Sequence, residues 1–288
     1  MVDKQCLNEL ALFAGAGGGI LAGKLLGWQT VCAVEWEPYP ASVLCARQND
    51  GFLPPFPIWD DVQTFDGKPW RGIVDVVSGG FPCQDISAAG RGAGIDGERS
   101  GMWKEMARII HEVRPRFAFV ENSPMLTSRG LGTVLGDLAA MGFDAKWGVL
   151  GAADIGANHQ RDRIWIVAKY APPPTMAYAD STHEQRNKRT ERTQSEYTNI
   201  DGTSKLAHAK NQGYVRWIRC MGATQSEYNN RRSQINGRGE WWKVEPDVGR
   251  VADGVAARVD RLKAVGNGQV PLCAATAWRI LGGQQWLN

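Results

Sequence analysis

The sequence predicts an α/β protein, with a mostly parallel sheet covered on both faces and a small irregular second domain. Three observations predict it. Short apolar runs alternate with amphipathic ones through the first 170 residues, a glycine cluster joins the first run to its helix, and the character changes at APPPT, residues 171–175. Alternating strands and helical patterns make βα units, whose crossovers bury a parallel sheet on both faces. At 288 residues the chain has room for a large α/β domain plus a small one.

The elements follow in order. LALF (10–13) reads as a strand that enters the glycine cluster, and GILAGKLLG (19–27) as a helix stopped by Gly27. TVCAVE (30–35) and YPASVLCARQ (39–48) repeat the unit. GIVDVVS (72–78), GMWKEMARIIHEV (101–113), RFAFVE (116–121) and LGTVLGDLAAMG (131–142) continue it, with Gly142 suited to a left-handed helix end. AKWGVL (145–150) and RIWIVAKY (163–170) are further strands. From 171 to about 255 the chain is polar and loosely repetitive: MAYADSTHEQR (176–186) answers LAHAKNQGYVR (206–216), and TQSEYTN (193–199) answers TQSEYNN (224–230). Two copies are too few for a solenoid, and point to a duplicated loop or hairpin. A disordered polar insertion is the competing reading, opposed by Trp217, Trp241 and Trp242. VDRLKAVGNGQVPLCAATAWRIL then restores an amphipathic helical pattern around a Gly-Asn-Gly turn and is expected to rejoin the first domain. The domains are therefore drawn as 1–170 with 256–288, and 171–255.

Composition excludes several classes. No apolar run approaches the ~20 residues of a membrane span, and MVDKQCLNELALF lacks a basic start and a cleavage site, so a cytoplasmic location is expected. Six scattered cysteines without a C-x-x-C pair fit neither a disulfide framework nor a zinc site, and no metal is expected. The formal charge of +3 is small, but residues 171–250 hold 13 Lys/Arg against 9 Asp/Glu, which concentrates positive charge in the second domain.

Four motifs carry chemistry. LFAGAGGGILAG takes a strand through Gly15, Gly17, Gly18 and Gly19 into a helix, where a backbone can approach a nucleotide-like ligand; Glu35, at the end of the next strand, is placed for ribose hydroxyls. A dinucleotide and S-adenosylmethionine fit this pattern comparably, and an unliganded tight turn fits it as well. Asp61 in WDDVQ is a candidate acceptor for an adenine amino group, or a turn residue. In GGFPCQDIS (79–87), Cys83 follows a strand at the same sheet edge; a free cysteine is most often a small buried residue, but this position suits a nucleophile. FVENSP (119–124) brings Glu121 to that edge, and NHQRDRIWIVA (158–168) brings Arg161 and Arg163; each alone reads as an ordinary surface charge.

GGFPCQDIS, ENS and GNGQVP, in that order behind LFAGAGG, resemble the cytosine-C5 DNA methyltransferases over about 1–170 and 255–288. The resemblance implies a Rossmann-like S-adenosylmethionine-dependent methyltransferase domain with a small irregular target-recognition domain. It implies that Phe13, Gly15, Gly17, Glu35, Trp36, Asp61, Val62, Met102 and Asn267 surround S-adenosylmethionine, with Pro82 shaping the cysteine loop. Cys83 would be the nucleophile, Glu121 would hold the base, and Arg161 and Arg163 would orient Cys83, its loop and the cytosine O2. Double-stranded DNA is the implied partner, read by 171–255. A monomer is expected, in a bacterial or phage setting at the nucleoid, and a cognate restriction endonuclease would be its natural companion. The sequence departs from the family at Ala11, where Asp is common, at Ser123, where ENS replaces the commoner Glu-Asn-Val, at His159, where Gln is usual, and in lacking an Arg-Leu-Gln-Gly-Phe-Pro stretch before the last motif. The alternatives are an RNA cytosine-5 methyltransferase of the same fold, a catalytically silent DNA-binding relative, and a nicotinamide-dependent enzyme. The silent relative is disfavoured by intact Cys83 and Glu121, and the nicotinamide enzyme leaves PCQ, ENS and the arginines without a role.

Overall fold

Central strands are buried on both faces when helices cover them, and their residues are then mostly apolar without alternation. Asn8–Leu12 (β1), Val76–Gly80 (β4) and Phe117–Asn122 (β5) have this character, and they form the middle of a seven-stranded sheet. The computed structural model describes residues 6–82, 101–171 and 258–283. The other strands are Gln29–Val34 (β2), Ile58–Trp59 (β3), Phe143–Leu150 (β6) and Arg163–Tyr170 (β7), in the spatial order β3-β2-β1-β4-β5-β7-β6. All pairings from β3 to β5 are parallel, while β7 runs antiparallel to both β5 and β6. This is the predicted α/β class, with antiparallel strands at one side. Strand β3 was not expected, because a two-residue strand has no periodicity to read.

The helices are Gly18–Leu26 (α1), Pro38–Asn49 (α2), Met102–Val113 (α3), Leu126–Arg129 (α4), Leu131–Ala140 (α5), Arg258–Asn267 (α6) and Pro271–Ile280 (α7). In α3 the apolar stripe Met106, Ile109, Ile110 and Val113 follows helical spacing and is buried together with Trp103. It packs with α5 on one face of the sheet, against Leu10, Leu12, Val77, Val120 and Ile166. On the other face, Trp278 of α7 meets the rings of Trp28, Phe117 and Phe119 at 4.7, 5.3 and 5.5 Å, each edge-on. The C-terminal helix α7 thus packs on the sheet that the first 170 residues form. Gly27 and Gly142 adopt the left-handed backbone expected of helix ends, at φ 80° and 87°. Of the predicted second domain, only Ala171 lies within the described residues. No helix among the described residues is long and apolar enough to cross a membrane.

Candidate active site

The carboxyl ends of β1, β4 and β5 lie side by side, with Leu12 opposite Gly79 and Gly80 opposite Glu121. A cleft opens there, lined by Phe13, Gly15 and Gly19, by Ser78 to Gly80 and Glu121, and by Asn267 to Gln269.

The glycine loop is shaped by its backbone. Phe13, Gly15 and Gly17 have φ of 51°, 54° and 91°, a left-handed region where only glycine rests without strain. A methyl group at Gly17 would lie 2.9 Å from Leu44, whereas one at Gly15 would meet nothing within 4 Å. The Gly15 backbone therefore faces open space. Gly18 and Gly19 are needed for another reason: a methyl group on either would run into Gln269.

Glu35 leaves β2 almost fully buried. Its Oε2 accepts the Gly15 N–H at 2.6 Å and its Oε1 the Glu37 N–H at 2.8 Å. Burial raises its pKa, and the two N–H donors oppose that shift. Both oxygens keep a further lone pair, so the carboxylate braces the loop and can still accept hydroxyls. Trp36 beside it is 70% exposed. Asp61 is half-buried, and its Oδ1 accepts the Gln63 N–H at 2.9 Å in a turn. The Val62 side chain is buried in the main core, and half-buried Met102 packs against that core at the start of α3. Of the predicted cofactor residues, Phe13, Gly15 and Asn267 line the cleft. Glu35 and Gly17 support the loop from behind, while Trp36, Asp61, Val62 and Met102 lie outside the cleft wall.

Phe81 is buried and Pro82 exposed. Cys83 is the next residue and lies outside the described residues, as does nearly all of 171–255. The approach to the cysteine is fixed by Asn122, whose Nδ2 donates to the Phe81 carbonyl at 3.1 Å while its Oδ1 accepts the Ser123 N–H at 2.7 Å.

Glu121 is the acidic group of the cleft. Its side chain is 11% exposed, and its Oε1 receives the Arg163 Nε at 2.8 Å. Burial raises its pKa, and the charges of Arg163 and Arg161 and a hydrogen bond from Gln269 pull it back. The antiparallel course of β7 makes this pair possible, since it brings the first residue of β7 to the edge where β5 ends. Arg161 does something else. With φ 59°, it turns its Nη2 onto the carbonyls of Gly266 and Gly268, clamping the turn between α6 and α7. Two residues went unassigned in the sequence. Asn122 was quoted within ENS without a role, and Gln269 follows a turn motif that gives no hint of where its side chain goes.

A profile for the family described as C-5 cytosine-specific DNA methylase matches residues 7–251. The chain belongs to that family. The match continues through the central segment, which the motifs alone left unmatched. Among methylase relatives, the type II methyltransferase M.CviJI of Paramecium bursaria Chlorella virus IL3A is 31% identical over 180 residues, 61% of this chain and 47% of that protein. The type II methyltransferase M.HhaI of Haemophilus parahaemolyticus is 30% identical over 171 residues, 57% of this chain and 50% of that protein. The chain spans about half the length of the curated relatives it matches. A solved structure of the S. pombe Dnmt2 methyltransferase aligns over 57% of this chain and 50% of its own, at 20% identity and a TM-score of 0.46.

Proposed function

We propose that this methylase is a DNA (cytosine-5)-methyltransferase that transfers a methyl group from S-adenosylmethionine to C5 of a flipped-out cytosine through a covalent adduct on Cys83. The observation that carries it is Glu121, paired with Arg163 in a cleft that the glycine loop and the Asn267 turn share. The residues fit the cofactor: a left-handed loop with open space at Gly15, an aromatic side chain at Phe13, and a buried carboxylate with lone pairs to spare. When bound, it supplies an electrophilic methyl group on sulfur.

The chain's own part is to make a poor carbon nucleophile reactive. The Cys83 thiolate forms an S–C6 bond, the C5=C6 electrons become available at C5, and loss of the C5 proton after methylation lets the S–C6 bond break and regenerate the thiolate. Glu121 holds N3 and the exocyclic amine and stabilises the charge that develops on the ring. Arg163 keeps the carboxylate in place, and Asn122 anchors the start of the cysteine loop. None of these atoms is reachable within a duplex, so the base is flipped out at a cost of a few kcal/mol. The substrate is double-stranded DNA, held by the basic 171–255 segment through phosphate contacts and groove readout. A monomer acting in the cytoplasm of a bacterium or of a phage-infected cell, alone or beside a restriction endonuclease, suffices for this chemistry.

The test is a duplex containing 5-fluorocytosine. Its C5 fluorine cannot leave as a proton does, so the wild-type protein is expected to remain covalently attached, and Cys83→Ser to form no adduct and methylate nothing. Free release of fluorinated DNA by an active wild-type enzyme would eliminate Cys83 as the nucleophile.

A further inference from the structure

Gln269 sits where three functional segments meet. Its backbone carbonyl packs against Gly18; a methyl group at Gly19 would lie 2.8 Å from its Oε1, and one at Gly80 would lie 3.1 Å from its Nε2. The side chain therefore spans from the first turn of α1 to the end of β4, and it reaches Glu121 with a hydrogen bond. A carboxylate only accepts, so the amide nitrogen must be the end that faces Glu121. The other end is directed toward the glycine loop. The turn before it is held by Arg161 through the Gly266 and Gly268 carbonyls. Both arginines thus act on Glu121: Arg163 by contact, and Arg161 by its charge and through the turn that presents Gln269.

We propose that Gln269 is a positioning residue for Glu121: wedged between Gly19, Gly80 and the carboxylate, it donates its amide N–H to Glu121 and fixes the base-holding group relative to the cofactor loop. The inference rests on Glu121 being the group that receives the target cytosine. A donor to the carboxylate favours its ionised form, so Gln269 works with Arg163 against the rise that burial imposes on the Glu121 carboxyl, and holds that carboxyl where the base must meet it.

The test compares wild type with Gln269→Met, which keeps the length and loses the donor, and Gln269→Glu, which keeps the shape and adds a like charge. The Glu121 carboxyl is followed by infrared difference titration, identified by its disappearance in Glu121→Gln. It is expected to titrate at higher pH in Gln269→Met and higher again in Gln269→Glu. Losing one hydrogen bond that fixes the base-holding carboxyl should slow single-turnover methyl transfer about tenfold, with the pH profile displaced in step with the Glu121 titration. Calorimetric cofactor affinity should change little. An unmoved carboxyl titration in both variants would overturn the proposal, as would weaker cofactor binding with an unmoved pH profile, which marks a mere spacer. The titration needs neither DNA nor cofactor. A wild type that methylates no cytosine would therefore sink the proposed function, while the titration still decides the role of Gln269.

Discussion

Glu9 is a carboxylic acid with no exposed surface, on β1, one of the inner strands of the sheet. The Thr30 hydroxyl donates to its Oε2 at 2.8 Å and the Ser78 hydroxyl to its Oε1 at 2.6 Å. Burial outweighs these donors and pushes the carboxyl up to about 6 from 4.5. At pH above 6 folding must bury a charge; as pH falls through 6 toward 4.5, the folded state takes up a proton before the unfolded chain does, and stability rises. The full change is about 2 kcal/mol by linkage. Glu35 and Glu121 are raised by burial too and act in the same direction, so the Glu9 share must be isolated. Urea unfolding of wild type and Glu9→Gln at pH 5 and pH 7.5 does this: over that range the variant is expected to lose about 1 kcal/mol of the wild-type pH dependence, and equal dependences would refute the assignment. The same scale shows what a sequence can disclose. Glu35 and Glu121 follow from strand ends, because the end of a βα strand projects to the ligand edge, whereas Arg163 begins its strand and reaches that edge only because β7 is antiparallel. Gln269 does not, because its role depends on a turn docking against three segments remote in sequence.

Helix α1 begins where backbone, not side chain, sets the rules. Alanine is favoured over glycine in a helix by up to about 1 kcal/mol, and Gly18 is not in the left-handed region. Gly18→Ala is nonetheless expected to destabilise, because the added methyl group collides with the Gln269 backbone carbonyl, which cannot rotate away as a side-chain tip would. Such overpacking typically costs about 1–3 kcal/mol, so the net effect is a lower melting temperature together with weaker cofactor binding. A variant as stable as wild type would show that the turn yields. Elements were legible to the extent that periodicity carried them: the six longer strands and helices α1, α2, α3 and α5 all appear, with boundaries that shift by up to four residues, as where GIVDVVS (72–78) forms a strand only over Val76–Gly80. The direction of β7 was not, since RIWIVAKY is equally apolar in either orientation. That direction decides the site, because a parallel β7 would carry Arg163 to the opposite edge from Glu121.

Across the whole molecule, β7 ends at Tyr170, paired near the start of β5. The central segment therefore departs from the sheet edge opposite the cleft, and the chain returns through α6 to the cleft at Asn267. If 171–255 reads DNA, replacing it with the corresponding segment of a methylase of different specificity should change the methylated sites and leave the chemistry intact. Bisulfite sequencing of DNA from expressing cells gives the answer, and an unchanged site pattern would show that the reader lies elsewhere. Charge supports the assignment, since the excess of Lys/Arg over Asp/Glu lies within that segment.

The wall contributed by Asn267, Gly268 and Gln269 also imposes an order in time. A ribosome adding roughly 5–20 residues per second exposes Gly18 and Gly19 tens of seconds before residue 269 emerges to fill the space above them. From the emergence of Arg163 until residue 269 follows, the nascent chain carries the glycine loop, Glu121 and both arginines but lacks the wall that Asn267, Gly268 and Gln269 supply. The fold withholds its reactive centre until synthesis has passed the last turn.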